Sequence, residues 1–233
     1  MPLDIQTRAV GDVSVVGCTG RIIEGDEVTA LEGHVRELLD LRRRHLLLDV
    51  REVSFVDSAG LGLLVRLLAR ARAAGGNLML CGTSPHIQKT LRVTRLHQVL
   101  ASFEGEADAI AALYRPEAGS AAAAPAAVDI VCVHPSHDVL AYAQQLLRQA
   151  GYGVVTTTNR ADAATLLRAT RPTMLLVDAV SSAAWDGGVD RLVGGSPSGI
   201  QVVALPATFA TDDPGAAGER LLADVARAAA ARL

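Results

Sequence analysis

Asp57 and Ser58, followed by Ala59-Gly60-Leu61-Gly62, are the residues of this chain whose types and spacing best suit a switch. An acid or hydroxyl ahead of an apolar helical run can cap that helix, its oxygen accepting a first-turn amide. A serine there also faces the positive end of the helix dipole, so a phosphate placed on it would meet unpaired N–H groups. The same phosphate would add about −1.5 to −2 charges to any surface resting on it. Gly60 and Gly62 carry no side chain, which leaves the first turn open to another surface. The plain alternative is an ordinary N-cap with glycines for close packing. The local residues alone leave both readings open.

Other candidates are weaker. His134, His137 and Asp138 cluster around Pro135 without a further ligand set, so an exposed turn is expected and no metal. The glycine-rich stretch Gly187–Gly199 lacks the Lys-Ser/Thr of a phosphate-binding loop and reads as a loop. Cys18, Cys81 and Cys132 lie in or beside apolar strand-like runs. Their odd number, without CxxC spacing, suits reduced core thiols.

The elements that must carry these residues follow from periodicity. Leu3–Val10 and Val13–Thr19 read as a hairpin around Gly11-Asp12. Val28, Leu31, Val35, Leu38 and Leu39 keep helical spacing, and Arg42, Arg43 and Arg44 close that helix at its negative end. His45–Val50 is a continuous apolar strand. The stretch Leu46–Gly62, LLLDVREVSFVDSAGLG, then leads through a loop into a helix over Ala59–Ala74. Leu61, Leu64, Val65 and Leu68 mark the inner side of that helix, and Gly75-Gly76 ends it. Asn77–Cys81 is a strand, Pro85–Leu91 a short helix, Val99–Phe103 a weaker strand and Glu106–Tyr114 a helix.

Pro116–Ala127, PEAGSAAAAPAA, has linker composition and separates segments of 115 and 106 residues. Beyond it strands at Asp129–Val133, Val154–Thr158, Met174–Val177 and Ile200–Leu205 alternate with helices at Val139–Ala150, Ala161–Ala169 and Glu219–Arg232. This is the βαβ rhythm of a parallel sheet.

Strand, F-V-D-S-A-G-L-G, amphipathic helix, Gly-Gly, apolar strand and Ser-Pro together resemble the STAS family of anti-sigma factor antagonists. The resemblance covers residues 3–115 and includes Thr19-Gly20 and Thr83-Ser84-Pro85. It implies an α/β fold with a mixed sheet and packed helices. It also implies phosphorylation of Ser58 by a partner anti-sigma factor that is a serine kinase. Asp57 would hold the loop, and Asp57, Ser58, Ala59, Gly60, Leu61 and Gly62 would form the partner-binding surface. Gly20-Arg21-Ile22-Ile23-Glu24 departs from the family's usual Gly-x-(Leu/Ile)-Asp opening.

The second segment resembles a response-regulator receiver, a flavodoxin-like parallel α/β fold, here shortened. Its strand-end aspartate aligns with Asp178, a secondary phosphorylation candidate. His134-Pro135 replaces the family's acidic pair, Pro206 its hydroxyl, and the chain's single lysine, Lys89, lies in the other segment. Mg²⁺-dependent transfer to Asp178 lacks its usual supports.

The expected organisation is residues 1–115 as a STAS domain, 116–127 as a linker and 128–233 as a degenerate receiver-like domain. The expected function is non-enzymatic partner switching, without cofactor, metal, nucleic acid or membrane. Its partners are an anti-sigma factor kinase and a resetting Ser/Thr phosphatase, with homodimerisation open. Two-component phosphotransfer through Asp178 and a constitutive scaffold are the alternatives. Residues 1–116 balance 14 basic against 14 acidic side chains, and 117–233 carry 8 against 11, so no broad basic field offers itself to nucleic acid. The N-terminus MPLDIQTRAV has no charged-then-apolar leader, and the apolar run Leu61–Ala74 is broken by Arg66, Arg70 and Arg72. The expected location is the cytoplasm. Limited proteolysis should cut first between Pro116 and Ala127 and release two stable halves of similar mass. First cuts within Leu46–Gly62 or Met174–Asp178 would refute the division.

Overall fold

The computed structural model describes residues 2–114, 128–178, 189, 199–205 and 214–230. The chain divides into two compact units, Met1–Pro125 and Ala126–Leu233. The linker expected at Pro116–Ala127 lies outside the described residues. So does the Gly187–Gly199 loop, apart from Val189 and Gly199.

In the first unit, strands β1 (Asp4–Val10) and β2 (Val13–Ile22) form an antiparallel hairpin whose register closes at Val10 and Val13. Gly11 makes the turn with φ 61°, a conformation glycine adopts without steric cost. Helix α1 spans Asp26–Asp40, β3 His45–Val56, α2 Ser58–Ala73 and β4 Asn77–Cys81. Helix α3 (Pro85–Val93), a 3-10 turn at Leu96–Gln98, β5 (Ser102–Phe103) and α4 (Glu106–Tyr114) complete the unit. The sheet order is β1-β2-β3-β4-β5, and every pair beyond the hairpin is parallel. The expected mixed sheet with packed helices is present.

Both faces of the central strands are buried, which explains the unbroken apolar run of β3. Leu46, Leu48 and Val50 pack with Leu31 and Val35 of α1, Leu63 and Leu67 of α2, and Ile87 and Leu91 of α3. On the other side Leu47 and Met79 are buried, where α4 packs on β3 and β4 and buries Ala109, Ile110 and Leu113. Full burial of each large aliphatic side chain contributes about 1.5–3 kcal/mol relative to exposure. The α4 layer is tied to the hairpin by Arg8, whose guanidinium meets Glu106 at 2.5 Å.

Several boundaries differ from expectation. Strand β3 runs to Val56 rather than Val50, and β2 to Ile22 rather than Thr19, because the two stay paired as far as Ile22 and Val56. Register shifts between Gly17 and Thr19 and between Gly20 and Arg21 break the two-residue alternation on which strand recognition depends. In α2, Leu63 and Leu67 are fully buried whereas Val65 is only partly so. Helix α1 presses on α2 from one side and the sheet from the other. The arginines 42–44 follow the C-cap Leu41 instead of filling the last turn of α1.

The second unit holds β6 (Ile130–Val133), α5 (His137–Gln149), β7 (Val154–Thr157), α6 (Arg160–Thr170), β8 (Met174–Asp178), β9 (Gln201–Leu205) and α7 (Pro214–Ala230). Its described strands are ordered β7-β6-β8-β9 and are all parallel. Leu140, Ala143 and Leu147 of α5 and Leu221 and Val225 of α7 share one core with Ile130, Cys132 and Leu176. No helix among the described residues is long and apolar enough to cross a membrane.

His45, at the start of β3, has its Nδ1 buried without a hydrogen-bond partner. Burial lowers its pKa below the ordinary 6.5, with Asp12 opposing and Arg44 adding to the shift. The folded state therefore holds the ring neutral while the unfolded chain takes up a proton. That contribution to stability is present above pH about 6.5 and is lost as pH falls below it. Amide exchange of β3 should accelerate between pH 7.5 and 5.5 after correction for intrinsic rates, and His45→Gln should flatten that dependence.

Candidate functional site

Strand β3 delivers its last residue, Val56, directly to Asp57, the N-cap of α2, without an intervening loop. The backbone of Asp57 is extended, with φ −88° and ψ −174°, which turns its carboxylate back over the first turn. Oδ1 accepts the Gly60 N–H at 2.7 Å and Oδ2 the Glu24 N–H at 2.9 Å. The Asp57 N–H donates to the Ile22 carbonyl at 3.2 Å. One residue thus clamps the β2–α1 connection, the end of β3 and the start of α2. The bond from Gly60, and after it the bond from Glu24, holds the carboxyl below its usual pKa, so it remains ionised.

The capping role left open between Asp57 and Ser58 belongs to Asp57. Ser58 is the first residue of the helix and is exposed. The first turn of α2 contains no other acid, and Arg70 and Arg72 sit in the last turn, where cations complement the dipole.

The two glycines differ. A Cβ on Gly60 would collide with the Ile22 carbonyl oxygen and lie 2.9 Å from Val56 Cγ1, so this glycine lets α2 close onto β2 and β3. Gly60 and Leu61 are buried inside the unit, which corrects the idea that Gly60 leaves room for an outside surface. At Gly62 the nearest neighbour of such a Cβ is Arg66 Nη1 at 3.5 Å, an ordinary contact, and the residue is half-buried.

Thr83-Ser84-Pro85 makes the same kind of helix start. Ser84 caps α3, its Oγ accepting the Ile87 N–H at 3.3 Å, with Pro85 in the first turn. Phe55, on β3, stacks on His86 of α3 with centroids 6.0 Å apart and an interplanar angle of 27°. Neither ring was singled out by sequence. Phe55 looks like core by type, yet it is 43% exposed. The Glu24 backbone also escaped notice, since its bond to Asp57 joins residues far apart in sequence.

In the second unit Asp178 ends β8 and is buried, its backbone in register with Leu205. His134 Nδ1 accepts the Ser136 N–H at 3.0 Å, and Ser136 caps α5. His137 and Asp138 lie exposed in the first turn, as a helix start rather than a ligand set. Cys18, Cys81 and Cys132 are free and buried. Burial, supplemented at Cys18 and Cys81 by Asp49, pushes their thiols up to about 12. They are core residues of low reactivity.

Residues 4–109 match the STAS domain family. BtrV of Bordetella bronchiseptica, whose name places it with the anti-sigma factor antagonists, is 23% identical over 83 residues, 36% of this chain and 72% of that protein. The anti-sigma F factor antagonist of Paenibacillus polymyxa is 25% identical over 69 residues, 30% of this chain and 59% of that protein. This chain therefore spans somewhat over half of the second relative's length. Among solved structures, an anti-sigma factor antagonist from Mycobacterium paratuberculosis is 20% identical, with 47% of this chain and 92% of that one covered and a TM-score of 0.42.

The Asp57 clamp gives a stability test. Asp57→Ala should cost about 0.5–2 kcal/mol by loss of the cap. Gly60→Ala should cost about 1–3 kcal/mol by overpacking against Ile22. Because the carboxyl pKa is lowered, the Asp57 contribution is present above pH about 3.8 and fades as pH falls through the lower folded value. Urea unfolding should show the gap between wild type and Asp57→Ala shrinking in that acid range.

Proposed function

We propose that this protein is a cytoplasmic, non-enzymatic anti-sigma factor antagonist that switches partners through phosphorylation of Ser58. The observation that carries this reading is an exposed serine at the first position of a helix, next to an ionised capping aspartate, within a STAS domain. The names of the relatives from Bordetella bronchiseptica and Paenibacillus polymyxa support the same assignment.

In this mechanism the unphosphorylated domain binds an anti-sigma factor that is itself a serine kinase, and the kinase's client is released. The contact is made by Ser58, Ala59 and Gly62 at the surface, with Asp57, Gly60 and Leu61 holding the turn from inside. The kinase supplies ATP and transfers phosphate to Ser58. The modified domain then leaves, because the added charge would have to lose its water in the interface. Moving occupancy from almost fully bound to almost fully free requires about 5.5 kcal/mol of differential affinity, or 10⁴-fold. A Ser/Thr phosphatase restores the binding form.

The second unit is read as a receiver-like domain, joined through residues 116–127, that docks or controls access. Its parallel strand order and the strand-end position of Asp178 favour this assignment, and also give two-component phosphotransfer as a second reading. With the chain's single lysine in the other unit, that transfer lacks its usual cation.

Ser58→Ala should melt within a few degrees of wild type and hold the kinase persistently. Ser58→Asp should melt similarly, since an acid suits a helix N-terminus, but bind at least tenfold more weakly. The phosphate should be acid-stable and map to Ser58. A hydroxylamine-labile phosphate on Asp178, with both Ser58 variants binding like wild type, would place the switch elsewhere.

A further inference from the structure

Helix α3 carries a strip of exposed side chains that the STAS core does not use. Ile87 and Leu91 point into the core and are buried. His86, Lys89 and Val93, at helical spacings of three and four, share the opposite side. Val93 is 75% exposed, an unusual setting for a β-branched apolar residue. At the other end of the strip, the half-exposed Phe55 ring stacks on His86. From His86 to Val93 the helix rises about 10 Å, the length of two turns of a partner helix.

The charge of this surface is one-sided. From Pro85 to Phe103 there are three cations, Lys89, Arg92 and Arg95, and no acid. Arg8, Arg51 and Arg70 each meet a carboxylate elsewhere in the unit, whereas these three are exposed and meet none among the described residues. Val93 and Phe55 add apolar anchors to that cationic field, the pairing of features found where one protein surface recognises another. A nucleic-acid backbone fits less well. The acidic stretch Glu24, Asp26 and Glu27 is tied to the start of α2 through the Glu24–Asp57 bond, and the unit has no cationic excess.

We propose that the outer side of α3, from Phe55 and His86 to Val93, docks an acidic segment of a partner protein, with an apolar side chain of that segment seated on Val93. The proposal rests on reading this protein as a partner-binding module. It names the chemistry of the partner: carboxylates facing Lys89 and Arg92. Phe55 stands three residues before Ser58, on the strand that leads into α2.

The test uses the full chain with a photo-crosslinking amino acid in place of Val93, expressed in its native cells, with Arg36 on α1 as the control position. The expected product is a crosslink to a protein segment rich in Asp and Glu. With that protein purified, Lys89→Glu combined with Arg92→Glu should weaken binding at least tenfold at low salt. Lysines in place of the segment's acids should restore it. Equal melting temperatures would establish that the charge reversal leaves the fold intact. Crosslinks to nucleic acid, to a basic or uncharged segment, or none above the Arg36 control would overturn the proposal. So would affinity within twofold of wild type after charge reversal. A Val93 crosslink that survives Ser58→Asp unchanged would keep the docking strip and sink the phosphate switch, whereas its loss would support both.

Discussion

The carboxylate of Asp57 bridges two chain segments at the point where the pairing of β2 with β3 ends. One oxygen holds the first turn of α2 and the other holds the backbone at Glu24, where the chain leaves β2 for α1. Both partners are backbone N–H groups; that of Gly60 is part-buried and needs an acceptor, whereas that of Glu24 is exposed. Since α1 and α2 cover the same side of the sheet, their starting points set how the two helices meet. The ion pair from Arg70 on α2 to Glu32 on α1, at 2.8 Å, lies on the consequence side of that arrangement. It is solvent-exposed and contributes about 0–1 kcal/mol. The buried leucines of α2 supply far more, but they fix no direction by themselves. The bonds to Asp57 do.

Around this clamp the short motif divides its residues between inside and outside. Gly60 is small because Ile22 occupies the place of its side chain, and Leu61 turns into the core. Ser58 and Gly62 face out because helical geometry sends them away from the buried pair. The requirement for glycine at position 60 is therefore internal packing, whatever the motif does for a partner. A substitution at 60 and one at 58 test different things, since the first changes the fold and the second changes the surface.

Much of this organisation was readable from residue types. Strand β4 and helix α4 fall on the residues that local pattern assigns, because each has one clear period and a strong terminator. The start of α2 was equally legible, since an acid–serine pair ahead of a leucine-rich run marks a helix N-terminus, although local residues left open which of the two caps it. The extension of β3 was not. Arg51 and Glu52 are both exposed before Val53 turns in, and no two-residue pattern survives the bulges on β2. The second bond of Asp57 was beyond local reading for a different reason: its donor is a backbone N–H, which carries no mark of residue type. The exposure of Phe55 carries no local mark, since its ring meets that of His86, which arrives from another helix.

The same clamp limits what a charge at Ser58 could do inside its own domain. In the first turn of α2 the Gly60 N–H is taken by Asp57, and the Leu61 N–H donates to the Asp57 carbonyl. A phosphate on Ser58 would compete with Asp57 for the donors that remain, and it would do so beside an existing negative charge. Helix-terminus attraction of about 0.3–1 kcal/mol per charge offsets part of that repulsion at an exposed site. Solvent screens the rest, because Ser58 is open to water. An apposed protein surface removes that water, and with it the screening. The position is therefore one where a charge is tolerable to the free domain and costly to a covered one, and the asymmetry arises from exposure more than from any change of shape.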